Sequence, residues 1–436
     1  MKRHALPWLI FFIVAQPLLA EVQQRFPKPD FQSGYQRPEL QTPVPRALAL
    51  EYLDVFVLAA ALTASVVFAH RLRSRRALFM LMIFSLVYFG FWRKGCVCPV
   101  GSLQNVTLAL FSPAYAIPLT VILFFALPLL TTLFFGRTFC ASVCPLGAIQ
   151  DAVIIKPISV PLPVRAVLSL LPYLYLGLAV LAAAVGAGFL ICRYDPFVGF
   201  FRFSSSFRMI ALGFSLLLLG TVVARPYCRF LCPYGVLLNW MSRLSKRHVR
   251  ITPSRCINCR LCEASCPFDA IEKPSLQPTA AAASGRLILR FLLLTPLLIL
   301  AGAFAFSQFD APLARLHPRV ALAADVLAEE KGGAATPAVR AFRSSGETPD
   351  ELFADAAMIR NRFRRGGMLL GGFLGLVLSL KLIGLVAPSF RREYEIDRGE
   401  CLSCGRCFSY CPVDKDGNTL FPIESLGNDS NAGKSV

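Results

Sequence analysis

The sequence predicts a mainly α fold. It reads as a polytopic transmembrane helical bundle of about seven spans behind an N-terminal signal-like segment, with a split two-site cysteine module on the cytoplasmic face. Three observations predict this. The 436 residues are 55% hydrophobic and only 16% charged, with Phe alone present 36 times. Apolar runs of spanning length recur along the chain. Two distant segments, Cys256 to Pro267 and Cys401 to Pro412, repeat one cysteine spacing.

The chain opens with Lys2, Arg3 and His4 before an apolar run ending at Ala20, the pattern of a signal peptide or signal anchor. Leu18 is bulky for a cleavage site, so both forms stay open. Residues 21–49 follow as an outer linker in which Pro27, Pro29, Pro38, Pro43 and Pro45 disfavour helix. Apolar runs then fall at roughly 50–70, 77–94, 117–135, 166–191, 208–224, 287–307 and 367–388. Each approaches the roughly 20 residues that cross about 30 Å of hydrocarbon. The net charge of +19 comes from 45 basic and 26 acidic residues. The basic residues cluster beside spans, as in Arg71–Arg76 and Ser242–Arg250, which reads as orientation in a membrane and not as a nucleic-acid surface. That places Arg71–Arg76 in the cytoplasm and fixes the other loops by alternation. Arg360–Arg365 then falls outside, in a loop of about 60 residues where the charge rule weakens.

CINCRLCEASCP and CLSCGRCFSYCP both have the form C-x2-C-x2-C-x3-C-P. Three thiolates two residues apart suit three corners of one [4Fe–4S] cube, and the fourth, before proline, reaches the other cube in two-cluster ferredoxins. A single run could hold zinc. Zinc usually takes two separated C-x2-C pairs, so two full copies favour two [4Fe–4S] clusters. The spans between them, near 281–307 and 366–390, carry the chain out and back. The segments 250–280 and 391–436 therefore land on one face and assemble a split ferredoxin-like module. The expected pattern is crossed: Cys256, Cys259, Cys262 and Cys411 on one cube, Cys401, Cys404, Cys407 and Cys266 on the other. The outer segment 308–365 has mixed charge and a partly helical pattern, and His317 before Pro318 reads as a cap or packing residue. The tail after Pro422 is polar and reads as disordered.

Residues 50–249 form a membrane core with an internal repeat. Cys96–Asn105, Cys140–Asp151 and Cys228–Trp240 each end an apolar run with Cys-Pro-x-Gly. Cys192–Phe201 is a fainter copy with Asp195 in place of the second cysteine. Proline suits the first turn of a new helix, glycine permits close approach, and a helix start favours thiolate. By topology Cys140, Cys144, Cys228 and Cys232 lie at the cytoplasmic end, and Cys96, Cys98 and Cys192 at the other. The first set suits one further iron–sulfur centre. The second, completed by Asp195 or an outside ligand, suits another. Packed apolar thiols at helix ends are the competing reading.

The apolar runs hold almost no ionisable groups, and Lys381 lies near the end of the last one. Ion pumps and proton relays need such groups. No P-loop, GxGxxG or GxSxG motif is present, so neither a nucleotide site nor a nucleophilic triad is expected. Without C-x-x-C-H, covalent haem is not expected either.

Over roughly residues 50–415 the chain resembles the membrane-bound polyferredoxins of the NosR/NapH type. The resemblance rests on GRTFCASVCPLG and RPYCRFLCPYG at span ends together with the two ferredoxin motifs. It implies a bacterial inner-membrane electron-transfer subunit, not a stand-alone enzyme. A cytoplasmic ferredoxin, flavodoxin or dehydrogenase would donate, and a periplasmic redox protein or flavoprotein would accept. The outer flavin-binding domain of NosR proper is missing, as is a flavin-attachment motif. A metal-centre assembly or redox-sensing factor is the alternative.

Overall fold

A computed structural model of the protein describes residues 46–95, 98–251, 259–274, 281–387 and 394–412. The signal-like segment, most of the proline-rich linker, Cys96, Cys256 and the polar tail lie outside the described residues. The chain divides into Met1–Ala47 and Leu48–Val436, and the fold is that of the second unit.

All seven expected runs form helices, but five are long and apolar enough to cross a membrane: Leu48–Arg71, Arg75–Trp92, Leu162–Val185, Gly285–Ser307 and Pro349–Val386. Leu119–Phe135 and Phe207–Gly220 are shorter. At 1.5 Å per residue they reach only about 25 and 21 Å. Leu119–Phe135 is stopped by Gly136, whose φ of 74° no longer fits a helix. The first two spans end in wider π-helical turns, Val67–Arg71 and Leu86–Trp92.

The Cys-Pro repeats build the next layer. Cys98, Cys144 and Cys232 are each extended, and the proline that follows opens Pro99–Phe111, Pro145–Ala152 or Pro233–Arg243. Proline is pre-set for a first helical turn, where its missing N–H costs nothing. These short helices pack within the longer ones around one core that includes Leu62, Phe89, Phe139, Phe197, Tyr227 and Tyr234.

The last two long helices, Ala281–Ser307 and Pro349–Val386, pack backbone to backbone. A Cβ at Gly371 would collide with the Gly302 carbonyl, and one at Gly375 with the Leu298 carbonyl. Small residues at four-residue spacing permit this approach in lipid. Thr295 and Ser379 hydrogen-bond across the seam at 2.5 Å. Pro349–Val386 runs for 38 residues, about 57 Å, so the boundary expected at 366 falls inside one continuous helix. Its polar first half packs with Pro318–Glu330 and Pro337–Arg343 around Val326, Val339, Phe342 and Leu352. Thr348 and Glu351 close its start as a reciprocal capping box. His317 is a cap as expected, its Nδ1 accepting from the Arg319 amide at 3.2 Å.

Two short strands tie the distant cysteine segments together. Ile271–Glu272 pairs antiparallel with Glu395–Ile396, Ile271 opposite Ile396.

Candidate metal centres

Beside this ladder, Cys266 from the first motif and Cys401, Cys404 and Cys407 from the second line one cavity with Phe268, Leu402 and Arg406. This is the crossed gathering expected from spacing, for the site whose four cysteines are all described. The helices Leu261–Ala264 and Arg406–Ser409, which carry Cys262 and Cys407, pack on each other. Cys401, Cys404, Cys407 and Cys266 are all unbridged. Burial pushes the Cys401 thiol up to about 12, the Ser403 amide opposes this, and Cys404 and Cys266 add to it. Burial likewise pushes the Cys407 and Cys266 thiols up, so the pocket disfavours bare thiolates. The four thiols fit a group with a cationic core that binds them all. Among the described residues no three Cys, His, Asp or Glu side chains converge on a point where one ion could sit. A cube spaces its thiolates more widely than a single tetrahedral ion does.

The core set is also gathered. The Cys144 thiol lies within electrostatic reach of Cys140, Cys228 and Cys232. Two repeats face each other here. Gln150 Nε2 donates to Cys228 Sγ at 3.2 Å, and Gln150 Oε1 accepts from the Tyr227 amide at 3.0 Å. Gly147 and Gly235 are the open positions that let the arginine of the opposite repeat come close: Arg225 Nη1 lies 3.1 Å from a Cβ built at Gly147, and Arg137 Nη2 lies 3.5 Å from one at Gly235.

The first copy, Cys96–Asn105, and the fainter one, Cys192–Phe201, repeat this arrangement. Gln104 Oε1 accepts from the Ile191 amide at 2.8 Å, as Gln150 does from Tyr227. Cys192 Sγ lies 3.3 Å from a Cβ built at Gly101. Cys98 is within electrostatic reach of Cys192 and Asp195, and Cys144 within reach of Cys98. Asp195 acts as a cap, its Oδ1 accepting from the Phe197 and Val198 amides at 2.8 and 3.3 Å. Cys232 Sγ accepts from the Gly235 amide at 3.3 Å in the equivalent place. The acid thus keeps the turn that cysteine makes elsewhere.

Sequence reasoning missed the charges around these sites. Arg75 Nη1 donates to the Cys404 carbonyl at 2.9 Å, Arg137 Nη1 and Asn239 Nδ2 to the Gly399 carbonyl at 2.9 and 3.0 Å, and Ser242 Oγ to the Arg398 carbonyl at 2.5 Å. Arg229 pairs with Asp269 at 2.8 Å. Together they dock the module on the end of the bundle that carries Cys140 and Cys228. The signal was present: Arg137 and Arg225 each stand three residues before the first cysteine of a C-x3-C-P repeat. Asp54 was overlooked as well. It is buried inside the first span and held by Arg93 at 2.8 Å and the Tyr88 hydroxyl at 2.8 Å. A cleft of about 830 Å³ borders Cys228 and Cys232 on their other side and runs between Tyr173, Trp240, Phe373 and Lys381.

Residues 117–157 and 206–252, which hold Cys140, Cys144, Cys228 and Cys232, match a family described as a 4Fe-4S binding domain. Residues 249–272, which hold the first ferredoxin motif, match a second family of the same description. The chain is a membrane-bound protein of the 4Fe-4S ferredoxin type. Its similarity extends to a protein of Escherichia coli (strain K12) named as a candidate electron transport protein, YccM. The two are 28% identical over 192 residues, which is 39% of this chain and 52% of YccM. The uncharacterized protein MJ0749 of Methanocaldococcus jannaschii is 29% identical over 140 residues, 30% of this chain and 52% of that one. NirI of Paracoccus denitrificans is 28% identical over 214 residues, 45% of this chain and 31% of NirI. The chain spans about half the length of the first two relatives. No solved structure matches it.

Proposed function

We propose that this protein is an iron–sulfur electron-transfer protein of the bacterial inner membrane. It moves electrons between a cytoplasmic donor (a ferredoxin, flavodoxin or dehydrogenase) and a periplasmic redox protein or flavoprotein. The observation that carries this reading is the run of thiol sets through one buried scaffold. Cys266, Cys401, Cys404 and Cys407 line the module cavity. Cys140, Cys144, Cys228 and Cys232 lie beside it, linked through Arg225, and Cys98 with Cys192 follows. The match of the core repeats to a 4Fe-4S binding family supports their use as ligands. The name of YccM supports electron transport.

In this reading Cys401, Cys404, Cys407 and Cys266 hold one [4Fe–4S] cluster, and Cys256, Cys259, Cys262 and Cys411 the other. Cys140, Cys144, Cys228 and Cys232 hold a further centre, and Cys96, Cys98 and Cys192 with Asp195 or an outside ligand hold another. Such clusters supply one-electron carriers with potentials anywhere from about −700 to +450 mV. The chain's own residues supply burial, fixed charge and short separations between sites. The Cys-Pro-x-Gly repeats beside ferredoxin motifs support placing the chain near the NosR/NapH-type polyferredoxins.

The test is iron and acid-labile sulfide per chain in anaerobically purified protein, followed by electron transfer across proteoliposomes with reductant and acceptor on opposite sides. About eight iron atoms fit the two ferredoxin clusters alone, and twelve or more fit added core centres. Iron-free protein, or clusters that never pass electrons across the bilayer, would refute the reading.

A further inference from the structure

The contacts joining the membrane core to the ferredoxin module converge on one buried cation. Arg225 is fully buried. Its Nε donates to Asp151 Oδ1 at 3.3 Å, its Nη1 to the Cys140 carbonyl, and its Nη2 to the Ala141 carbonyl at 3.4 Å. The guanidinium lies over the Phe268 ring, 5.7 Å from its centroid, and Phe268 is two residues beyond Cys266. Cys228, Cys404 and Cys140 are all within its electrostatic reach. One side of the cation therefore meets the core set and the other meets the module set.

The backbone is bent to put it there. Arg225 has φ 47° and ψ 60°, directly before Pro226. The residue before proline is normally extended, and a non-glycine residue held left-handed costs about 1–3 kcal/mol. Such strain persists only where surrounding contacts impose it.

The local charge does not cancel. Asp151, whose side chain is fully buried, also accepts from Arg75 at 2.8 Å and faces Arg406 at 3.7 Å. Three guanidinium groups share one carboxylate, and Arg75 also holds the Cys404 carbonyl. The opposite repeat differs. Arg137 reaches Cys140 Sγ at 3.9 Å and the Gly399 carbonyl, and Asn239 stands where Asp151 stands, seven residues after the second cysteine. Arginine recurs in both repeats; the carboxylate facing Arg225 comes from the other repeat, and the one within reach of Arg137, Glu400, comes from the module.

We propose that Arg225, moderated by Asp151, is the residue that sets the reduction potentials of the two thiolate-bound centres it separates. The proposal rests on the iron–sulfur reading above. A fixed cation in a poorly screened interior favours an added electron on either side of it. Arginine keeps its charge at any physiological pH, so the bias is constant. Arg225 is thus a positioning residue that acts through the thiolate sites without ligating.

The experiment is an EPR-monitored redox titration of the full-length protein in lipid nanodiscs. Arg225→Gln is expected to make both neighbouring centres harder to reduce by at least tenfold in the equilibrium, about 59 mV for one electron. Arg225→Lys, which keeps the charge, is expected to stay within threefold of wild type. Arg75 is partly exposed, so Arg75→Gln tests the idea even if Arg225→Gln fails to fold. It is expected to lower only the centre on the Cys404 side, by a smaller factor. Unmoved potentials in Arg225→Gln overturn the proposal, as does a Lys variant shifted as far as Gln, or an Arg75→Gln protein with both centres unchanged. Wild-type protein without iron overturns the iron–sulfur reading and this proposal together. Iron-loaded protein with insensitive potentials overturns this proposal alone.

Discussion

Replacing Asp151 with alanine removes the one carboxylate that holds Arg225, Arg75 and Arg406 together. Arg225 and Asp151 are both fully buried, whereas Arg75 and Arg406 are 19% and 25% exposed. Breaking a buried pair and stranding its cation costs about 3–5 kcal/mol. The partly exposed arginines add about 0–1 kcal/mol each. Set against a folding stability of about 5–15 kcal/mol, the loss is large, and the ferredoxin module is expected to lose its docking first. Thermal unfolding in detergent, followed by tryptophan fluorescence, should show a melting midpoint several degrees below wild type. Limited proteolysis should cut the 394–412 segment first. The acid limb carries the same signature. Burial opposes ionisation of Asp151, but Arg225 and then Arg75 outweigh it and hold the carboxyl down at about 2. A carboxyl near 3.9 in the unfolded chain and near 2 in the fold contributes about 2–3 kcal/mol. That contribution is complete above the unfolded value and is lost as pH falls through the folded one. The gap between wild type and Asp151→Ala should therefore be wide at pH 6 and narrow towards pH 2. Superimposable melting curves at pH 6 would refute the account of Asp151 as keystone.

Cys266→Ser is expected to remove the centre assigned to Cys401, Cys404 and Cys407, as the shared cavity implies; an EPR spectrum that instead loses the centre of Cys259 and Cys262 refutes the crossed pattern. Gly371→Val forces a side chain into the Gly302 carbonyl and should lower stability by at least about 1–3 kcal/mol. Gly384→Ala, with nothing within 4 Å, should be neutral or slightly stabilising in the same melts. Burial, with Arg398 and Arg250 adding to it, holds His248 down to about 4. The unfolded chain binds a proton below about 6.5 that the fold refuses until about 4, so this site costs stability between those values as pH falls. His248→Asn should flatten that part of the pH profile, and an unchanged slope would count against it.

Much of the fold was legible because lipid imposes one rule: apolar runs become helices that satisfy their own backbones. The position of every expected run was readable from hydropathy. Length was read less well: Phe207–Gly220 ends before the expected 224, and Leu119–Phe135, which ends where expected before Gly136, is only 17 residues long. The gathering of Cys266 with Cys401, Cys404 and Cys407 in one cavity was readable from a cysteine spacing that in two-cluster ferredoxins sends the fourth thiolate to the other cube. The charges were not. Asp151 and Arg225 look like loop or span-edge residues in one dimension, and their burial appears only when two repeats meet. Hydropathy averages also hide a single acid in an apolar run, so Asp54 passed as part of a span although Arg93 neutralises it.

The split of the module makes its assembly depend on the membrane helices. Cys266 lies before the last two spans and Cys401 after them, yet they line one cavity. The ladder between Ile271 and Ile396 closes only after Pro349–Val386 has returned the chain to the first motif's end. That return is held by the glycine seam of Gly302, Gly371 and Gly375. A substitution in the seam should therefore act on the metal sites without touching them, by letting the 394–412 segment drift from Cys266. Arg75, Arg137, Asn239 and Ser242 resist such drift by donating to backbone carbonyls of Cys404, Gly399 and Arg398. Because they hold the main chain, the loop's path is specified even where its side chains vary. The spacing between module and core sites is then a property of the bundle itself.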